Sequence, residues 1–372
     1  MKKVKLGEVA TFINGYAFKP QDWSSEGKEI IRIQNLTKTS KETNYYSGTI
    51  DKKYIIEDGD ILISWSGTLG VFQWCGKSAV LNQHIFKVVF DKIDIDKSYF
   101  KYVVEKGLQD AVKHTHGSTM KHLTKKYFDN ILVSYTNLKE QQRIASELDL
   151  LSKLILRRQE QLKELNLLVK SRFNEMFILN DFSLKRLGEL VEEVRYGTSL
   201  PATLNGKYGY LRMNNITEDG KLNIQNLKYI DIPEKDLEKY VVRKGDVLFN
   251  RTNSIELVGK TCIYELNFDM VIAGYIIRIR TNNNILNSRY LSEFLNFPST
   301  KKFLRNIAKG AVNQANINAK ELQDISVPLP PLSLQNEFAD FVAQVDKSQL
   351  AIQKSLEELE TLKKSLMQKY FG

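Results

Sequence analysis

One segment in the first half of the chain concentrates the side chains that could contact a polyanion. Residues 113–126 (KHTHGSTMKHLTKK) contain four lysines and three of the four histidines. A basic loop interrupted by glycine suits contact with nucleic-acid phosphates, because each phosphate that a cation neutralises releases counterions. The alternative is a solvated helix end, where lysines interact with the terminal carbonyl groups. The candidate nucleic-acid contacts in this segment are Lys113, His114, His116, Lys121, His122, Lys125 and Lys126.

A second group of candidates is rich in amides and follows the corresponding predicted helix of the second half. Asn or Gln can bond N6 and N7 of adenine together in the major groove. Amides in loops also cap turns, so the pattern leaves base contact and capping open. The candidates of this group are Lys309, Asn313, Gln314, Asn316 and Asn318.

A third group follows two matching predicted strands, one in each half. In the second half the strand leads into Arg251, Thr252 and Asn253, and an arginine can bond guanine bidentately. In the first half the aligned tryptophan could stack on a base or simply pack in the protein. The candidates of this group are Trp65, Ser66, Thr68, Arg251 and Asn253.

Motifs for catalysis or metal binding are not recognisable. Gly76-Lys77-Ser78 and Gly259-Lys260-Thr261 resemble the end of a phosphate loop, but Val71 and Ser254 occupy the positions of its first glycine. Neither a glycine-rich dinucleotide fingerprint nor a Gly-x-Ser-x-Gly elbow is present. The histidines of segment 113–126 have no cysteine or carboxylate near them in sequence that would complete a zinc site. We therefore predict neither catalytic residues nor a metal site.

The elements that must position these candidates are repeated along the chain. Residues 6–9 (LGEV) return as 187–190 (LGEL), and residues 59–62 (GDIL) return as 245–248 (GDVL). Self-similarity over such a long period indicates duplicated domains. The repeated blocks are apolar or turn-forming, whereas the segments between them differ and are polar. Further matched pairs, in the same order, are Arg32 with Arg212, Tyr99 with Tyr290, Val133 with Val327, and Gln141 with Gln335.

Each repeat predicts a mixed α/β domain. Short runs rich in Ile, Val, Phe and Tyr, bounded by Gly or Asp, are typical of strands. Apolar residues at helical spacing, followed by Gly117 or Gly310, predict a helix after the strands. The predicted strands lie at 29–36, 60–66, 79–90, 209–216, 246–250 and 271–280, and the predicted helices at 97–115 and 287–309.

Each domain is followed by a stretch without proline or internal glycine that is dominated by Leu, Glu, Lys, Gln and Arg. Such stretches predict long helices, and apolar residues recurring every seven positions predict a coiled-coil seam. A single amphipathic helix on each domain is the alternative. The predicted seam consists of Leu148, Ile155, Leu162, Val169 and Met176 in the first helix and Phe338, Val345, Ile352, Leu359 and Leu366 in the second.

The predicted organisation is therefore α+β: two similar mixed α/β domains separated by two long antiparallel coiled-coil helices, with an internal pseudo-twofold repeat. Connectivity imposes the antiparallel arrangement, because the first helix leads from domain 1 to domain 2 and the second must return along it. DNA advances about 34 Å per turn, so two separated domains could meet one duplex at two sites. The predicted boundaries are 1–137 and 181–331 for the domains, and 138–180 and 332–372 for the helices.

Composition sets the class of protein. The chain has 372 residues, 42% of them hydrophobic, and a net charge of +10, which favours a polyanionic partner such as double-stranded DNA. No window approaches eighteen consecutive apolar residues, and Glu8 and Asn14 interrupt any apolar run near the start, so we predict neither a membrane span nor a secretory signal. With only two cysteines, far apart in sequence, a disulfide framework is not predicted, and the cytoplasm is the expected compartment.

The ordered combination of these features resembles the specificity subunit of type I restriction-modification enzymes. The resemblance spans about residues 4–371 and includes the GDIL and GDVL strands, the GAVNQ turn at 310–314, and VPLPPL at 327–332 before a long helix containing Gln335. Two departures occur in the first half: VSYTN at 133–137 replaces the prolines, and GSTM at 117–120 lacks the glutamine.

The resemblance implies a noncatalytic subunit with two target recognition domains that read an asymmetric target of two unlike half-sites. It further implies that two methyltransferase subunits dock on the helices, and it leaves open whether restriction subunits join them. S-adenosylmethionine, ATP and Mg would bind those partners, with no cofactor on this chain. Two other functions remain open from the residues alone: a single-chain nuclease or methyltransferase with an unrecognised motif, and an interaction scaffold whose charge is incidental.

Overall fold

The computed structural model describes residues 1–40, 42–114, 124–311 and 313–372. It divides into two compact units. Unit 1 consists of Met1–Glu160 together with Gln353–Gly372, and unit 2 of Gln161–Ile352. Each unit thus contains one α/β domain, the start of one long helix and the end of the other. We call the α/β domain of unit 1 head 1 and that of unit 2 head 2.

Head 1 and the first long helix are built from ten strands, five α-helices and two short 3-10 helices (Pro20–Asp22 and Lys52–Tyr54) in the described residues. The strands are β1 (Lys2–Lys5), β2 (Thr11–Asn14), β3 (Lys28–Ile31), β4 (Asn44–Tyr46), β5 (Ile55–Ile56), β6 (Ile61–Ser64), β7 (Gly70–Gln73), β8 (Ala79–Leu81), β9 (Ile85–Val89) and β10 (Leu132–Tyr135). The helices are α1 (Leu6–Val9), α2 (Ile33–Leu36), α3 (Lys97–His114), α4 (Lys125–Asp129) and α5 (Leu138–Phe173), which continues as a π-helical turn (Asn174–Ile178).

Head 2 and the second long helix repeat this order with additions. The strands are β11 (Leu184–Arg186), β12 (Val191–Tyr196), β13 (Tyr208–Leu211), β14 (Lys228–Ile230), β15 (Val241–Val242), β16 (Val247–Asn250), β17 (Thr252–Asn253), β18 (Thr261–Ile263), β19 (Met270–Ile272), β20 (Ile276–Thr281), β21 (Lys309–Ala311), β22 (Gln314–Asn316) and β23 (Ser326–Pro328). The helices are α6 (Leu187–Leu190), α7 (Glu234–Tyr240), α8 (Ser288–Asn296), α9 (Pro298–Ile307), α10 (Ala319–Gln323) and α11 (Leu332–Phe371).

The sheets of the two heads have the same topology. Head 1 contains sheets ordered β2-β9-β6-β7 and β4-β3-β8-β5, and head 2 contains β12-β20-β16-β18 and β14-β13-β19-β15. In both heads one pair is parallel, β3 with β8 and β13 with β19, while the other pairs of these sheets are antiparallel. A two-stranded sheet joins the start of each head to its end, β1 with β10 and β11 with β23. The duplication predicted from sequence is therefore a duplication of structure.

Buried glutamines join each head to the helix that follows it. Gln141 accepts a hydrogen bond from the backbone N–H of Asp96 at 2.8 Å and donates one to Thr136 O at 2.7 Å. Gln335 accepts one from the N–H of Asn287 at 2.8 Å and donates to Pro330 O at 2.9 Å and Ile285 O at 3.1 Å. Both side chains are fully buried. Each glutamine thereby fixes the start of the head's long helix against the loop before α3 or α8.

Each head also packs against the end of the other long helix within its own unit. In unit 1 Tyr99 contacts Phe371, with ring centroids 5.5 Å apart. In unit 2 Tyr290 contacts Phe177 at 4.7 Å. Lys3 also donates to Phe371 O at 2.9 Å. The core of each unit therefore requires residues from both long helices.

The two long helices extend over the predicted ranges, and within unit 2 their segments run antiparallel. Asn166 accepts a hydrogen bond from Gln349 at 2.8 Å, and Arg172 pairs with Glu337 at 3.2 Å, so positions advance on one helix as they decline on the other. Half of the predicted seam residues are buried in the cores of their units, and the others are half-buried. The buried set is Leu148, Val169, Met176, Phe338 and Val345; the half-buried set is Ile155, Leu162, Ile352, Leu359 and Leu366. The coiled coil itself stays a prediction.

Several predicted elements differ from the structure. The predicted strands 79–90 and 271–280 are each two strands, β8 with β9 and β19 with β20. The predicted strand 29–36 ends at Ile31 and becomes α2, because Asn35 accepts a hydrogen bond from the N–H of Arg32 at 2.9 Å and closes a helical turn. Asn215 and Arg212 form the same bond at 2.9 Å in head 2. The predicted helix 287–309 is two helices, α8 and α9, because Pro298 disfavours a helical conformation in the residue before it.

Within the described part of the chain, no helix combines the length and the apolar character that a membrane crossing demands.

Candidate nucleic-acid interface

The central strands of the two heads begin alike. Asp60 before β6 accepts a hydrogen bond from the N–H of Glu57, and Asp246 before β16 accepts one from the N–H of Arg243, both at 2.9 Å. A cation from the neighbouring strand reaches the same carbonyl position in each head: Lys87 donates to Ile55 O at 2.7 Å, and Arg278 donates to Val241 O. At this end of the strands the two heads share these backbone contacts, although Lys87 pairs with Asp60 and Arg278 pairs with Glu193.

The far ends of the same strands carry different side chains. β6 runs into Trp65, and β16 runs into Arg251. The backbone N–H of Trp65 donates to His84 O at 3.2 Å, and that of Arg251 donates to Tyr275 O at 2.9 Å. These two side chains therefore occupy equivalent backbone positions. The sequence alignment placed them near each other, and the hydrogen bonds make the correspondence explicit.

Arg251 lies on an aromatic ring in head 2. Its guanidinium carbon is 4.8 Å from the centroid of Tyr196, which ends β12 and is 41% exposed. Arg251 Nη1 donates to Gly274 O at 3.3 Å, while its Nε has no hydrogen-bond partner in the described structure. Tyr275, at the β19–β20 turn, is 49% exposed beside it. The guanidinium is thus held by a ring and a neutral carbonyl, and no carboxylate is recorded against its charge.

Polar residues that follow Arg251 form a connected network. Thr252 Oγ1 donates to Asn316 Oδ1 at 2.9 Å, which ties β17 to β22. Asn253 Nδ2 donates to Asn250 Oδ1 at 2.9 Å, and Asn253 Oδ1 accepts from the N–H of Ser254 at 2.9 Å. Asn253 and Asn316 therefore form hydrogen bonds within the head, which gives them a positioning role alongside any contact with a ligand.

The other amide candidates of head 2 separate into two kinds. Asn318 caps α10, because its Oδ1 accepts from the N–H of Glu321 at 2.9 Å, so turn capping is the reading that the geometry supports. Asn313 and Gln314 are exposed. Lys309 pairs with Glu321 at 2.5 Å, yet its side chain is 78% exposed. Gly310 has a φ of +121°, and a Cβ there would lie 2.4 Å from Gln314 O, so the β21–β22 hairpin requires glycine.

Trp65 in head 1 packs within the protein. Its ring is stacked on Phe86 with centroids 5.6 Å apart and meets His84 edge-on at 4.9 Å. Its Nε1 donates to Asn14 Oδ1 at 3.0 Å. Ser66 is buried, whereas Thr68 is exposed. Of the two alternatives for the tryptophan, packing fits these contacts, and Asn14 is the exposed polar residue that it supports.

The histidine-rich segment falls mostly outside the described residues. His116, Lys121 and His122 lie there, and Lys113 and His114 belong to the end of α3 with side chains that are not described. The contact prediction for these five residues therefore stays a prediction. Lys125 and Lys126 lie in α4 and are both exposed, and Lys125 pairs with Asp129 at 3.0 Å.

Further cations that sequence reasoning missed surround the loop after Arg251. Lys260 donates to Met213 O at 3.1 Å, Lys301 donates to Gly259 O, and Arg305 donates to Glu256 O at 3.4 Å. Burial lowers the pKa of Lys260 and lowers that of Lys301 to about 7. Their partners here are backbone carbonyl groups, so these side chains hold the loop in place, and of the three Arg305 is the exposed one.

Asn14, Tyr196 and Tyr275 were also missed by sequence reasoning. A signal was present: Asn14-Gly15 and Tyr196-Gly197 hold a variable residue before a glycine in both halves. A Cβ on Gly15 would lie 2.0 Å from Asn82 O, and one on Gly197 would lie 2.3 Å from Ile272 O. The glycine is required by close backbone approach in each head, and the residue before it is free to differ.

Among the described residues, no group of three or more His, Cys, Asp or Glu side chains could hold a metal ion.

Comparison with known proteins places this fold. A family model described as the type I restriction modification DNA specificity domain matches residues 1–167 and again residues 180–362. The chain is 25% identical over 410 residues to the type I restriction enzyme EcoBI specificity subunit of Escherichia coli, which covers 99% of this chain and 85% of that protein. It is 34% identical over 198 residues to a Methanocaldococcus jannaschii chain assigned as the MjaX specificity subunit of a type I restriction enzyme; this match covers 52% of this chain and 46%, less than half, of that relative.

A solved structure has the same fold. The crystal structure of the type I restriction-modification system S subunit from M. genitalium is similar with a TM-score of 0.61 at 16% identity, over 100% of this chain and 96% of that chain. The two matched domains coincide with the two structural repeats, and together they span almost the whole sequence. The chain therefore belongs to the family defined by the type I restriction modification DNA specificity domain.

Proposed function

We propose that this chain is the sequence-specific DNA-binding specificity subunit of a type I restriction-modification complex. Each head reads one half of a bipartite, asymmetric target, and the long helices set the spacer between the halves. The observation that carries the proposal is internal to the chain: two heads share one scaffold and one set of junction contacts, yet differ at the strand ends where Trp65 and Arg251 lie. Identical heads would favour a palindrome, whereas these heads favour two unlike half-sites.

The charge of the chain and of head 2 supports DNA as the ligand. The net charge is +10, and Lys126 of head 1 and Arg305 of head 2 are exposed. Cations of this kind gain free energy by displacing counterions from a phosphate backbone. We expect DNA affinity to fall steeply with salt concentration.

The proposed partners follow from the family. Two methyltransferase subunits dock on the long helices, and restriction subunits join in a cleavage complex. S-adenosylmethionine, ATP and Mg then act on those partners, and this chain contributes recognition without catalysis. Because the ligand is cellular DNA, the proposed compartment is the cytoplasm.

A head exchange tests this function. The full chain is coexpressed with its methyltransferase partner, and modified adenines are mapped across the genome. Replacing residues 1–137 with the head of another specificity subunit should change one half-site and leave the other half-site unchanged. An unaltered modification pattern would refute the proposal. A matched exchange of residues 181–331 should alter only the other half-site.

The alternative is a single-chain nuclease or methyltransferase, and it has a direct assay. Purified chain is incubated with DNA, Mg and S-adenosylmethionine without any partner. We expect neither methyl transfer nor cleavage; turnover by the isolated chain that persists across independent preparations would favour the enzyme.

A further inference from the structure

The structure points to a specific pair of residues in each head that fixes which base is read, and this inference rests on the proposed function. We propose that Asn14 in head 1 and Arg251 in head 2 are base-contacting residues, that Trp65 and Tyr196 are their supporting residues, and that the two roles are exchanged between the same two backbone positions.

Backbone hydrogen bonds establish that the positions are the same. The N–H of Gly15, after Asn14, donates to Ile85 O at 3.0 Å, and the N–H of Gly197, after Tyr196, donates to Ile276 O at 3.1 Å. Asn14 and Tyr196 therefore end equivalent strands, β2 and β12. Trp65 and Arg251 follow the equivalent strands β6 and β16, as described above.

The side chains at these positions contact each other in both heads. In head 1 the indole Nε1 of Trp65 donates to Asn14 Oδ1 at 3.0 Å. In head 2 the guanidinium carbon of Arg251 lies 4.8 Å from the centroid of Tyr196. One member of each pair is aromatic and the other has hydrogen-bonding groups that can distinguish bases. The aromatic residue follows β6 in head 1 but ends β12 in head 2, so the roles have changed places.

The aromatic member restricts its partner. The indole N–H fixes the orientation of the exposed Asn14 amide, and an amide oxygen has a second lone pair that can accept from adenine N6 while the amide nitrogen donates to N7. The Tyr196 ring holds the guanidinium plane of Arg251, which has five donors, of which a recorded bond commits one to Gly274 O. A restricted arginine of this kind suits bidentate bonding to guanine O6 and N7.

The Tyr196 hydroxyl is itself anchored. It accepts a hydrogen bond at 2.7 Å from the backbone N–H of Ala319, the first residue of α10. The ring beneath Arg251 is thus connected to the segment that carries Asn316 and Asn318. Phe86 and His84 hold Trp65 in the corresponding way in head 1. Asn14 and Arg251 therefore each contact an aromatic residue that other residues of the same head hold in place.

The proposal predicts an adenine in the half-site of head 1 and a guanine in the half-site of head 2. The experiment uses the full chain with its methyltransferase partner and selects bound molecules from a pool of duplex DNA of random sequence. Arg251→Lys keeps the charge but removes bidentate geometry, so preference for guanine at one position of one half-site should fall about 5- to 150-fold. Asn14→Ala should reduce preference for adenine at one position of the other half-site.

Supporting residues are tested by paired substitutions. Tyr196→Leu removes the ring and should weaken the same guanine preference, whereas Tyr196→Phe keeps the ring and should retain it. Trp65→Phe keeps the stack on Phe86 but removes the N–H, so it should weaken the preference assigned to Asn14.

Matched controls lie in the same heads. Arg243→Lys changes an arginine whose Nη1 donates to Glu238 Oε2 at 3.0 Å, and Trp74→Phe changes a tryptophan whose Nε1 donates to Lys77 O at 3.0 Å. Neither control should alter the selected motif.

Three results would overturn the inference. Arg251→Lys could leave the motif unchanged, lower affinity for all sequences equally as a phosphate contact would, or abolish the whole half-site as a structural residue would. If the wild-type chain selects a bipartite motif and any of these follows, the proposed function stands without this assignment. If the wild-type complex selects no motif, the proposed function itself fails.

Discussion

Heads 1 and 2 share a backbone contact where their central strands begin and differ in side chain where these strands end. At the beginning, Asp60 and Asp246 accept the same backbone hydrogen bond, and at the end, Trp65 and Arg251 share a backbone position but have different chemistry. Because the backbone contacts at the beginning hold the strand in place, the side chain at its end can differ without a change of fold. The comparison shows that a duplicated domain can change the side chains at its strand ends and keep its architecture.

The largest expected effect on stability comes from the cations that occupy the same position in the two heads, Arg278 and Lys87. Arg278 is fully buried, donates to Val241 O and pairs with Glu193, whereas Lys87 of head 1 is partly exposed and pairs with Asp60 at 2.9 Å. Arg278→Met should lower the free energy of unfolding of unit 2 by about 3 to 5 kcal/mol, because a buried charge network loses its centre. The measurement is native-state hydrogen exchange along β16 and β20.

The matched variant in head 1 is Lys87→Met. Its partly exposed ion pair should cost only about 1 kcal/mol on removal, read from exchange along β6 and β9. Equal losses in the two heads would contradict the assignment of Arg278 as a buried structural cation.

The junction glutamines should give the next largest effect. Gln335→Ala leaves the N–H of Asn287 and two carbonyl groups without their partner, and Gln141→Ala leaves the N–H of Asp96 and one carbonyl. We expect losses of about 2 to 3 kcal/mol for Gln335→Ala and a smaller loss for Gln141→Ala, because buried polar groups without partners cost free energy. Urea unfolding followed by exchange at the starts of α8 and α3 measures both.

A larger effect from Gln141→Ala would reverse the ranking and indicate that water replaces the glutamine more readily in head 2. Gln323→Ala, near the surface of head 2, provides a control with a single local bond from its side chain to Ala319 O at 3.0 Å.

The remaining effect depends on pH and is expected to be smaller than those of Arg278→Met and Gln335→Ala. Burial raises the pKa of Glu293 to about 7, with Arg289, Asp346, Lys170 and Lys221 as the charged groups that face it. The folded state keeps a proton that the unfolded state loses above pH 4.5, so this residue contributes less to stability as pH rises from 4.5 through 7. Glu293→Gln should therefore stabilise unit 2 by about 1 to 2 kcal/mol at pH 8 and have little effect at pH 4.5.

Tyr102 of head 1, three residues after Tyr99 as Glu293 is after Tyr290, is the comparison residue. It donates to Asp149 at 2.7 Å. Tyr102→Phe should lack the pH dependence between pH 4.5 and 8. A Glu293→Gln effect that is the same at both pH values would show that the carboxyl group titrates normally.

Sequence reasoning recovered the parts of this molecule that repeat. The GDIL and GDVL strands, Tyr99 with Tyr290, and Gln141 with Gln335 all occupy matching places, because buried positions tolerate few residue types and so remain recognisable after duplication. The long helices were also predictable, since neither stretch has a residue that would interrupt it. The break at Pro298 was equally readable but was overlooked.

The candidate site was less predictable because its residues contact partners that are distant in sequence. Trp65 and Arg251 were found from the strand that precedes each of them. Their partners Asn14 and Tyr196 lie about fifty residues earlier, and only the pairing of β2 with β9 and of β12 with β20 brings them close. The role of Asn318 as a helix cap depended on the position where α10 begins, which composition alone does not determine.

The chain segments that form each unit also determine which unit can finish folding first during translation. Unit 2 is one continuous stretch, Gln161–Ile352, and all its contacts can form once that stretch has emerged from the ribosome. Unit 1 cannot close until Gln353–Gly372 has been made, because Phe371 must reach Tyr99 and Lys3. The domain translated first is therefore completed last, when Met367 and Phe371 join its core.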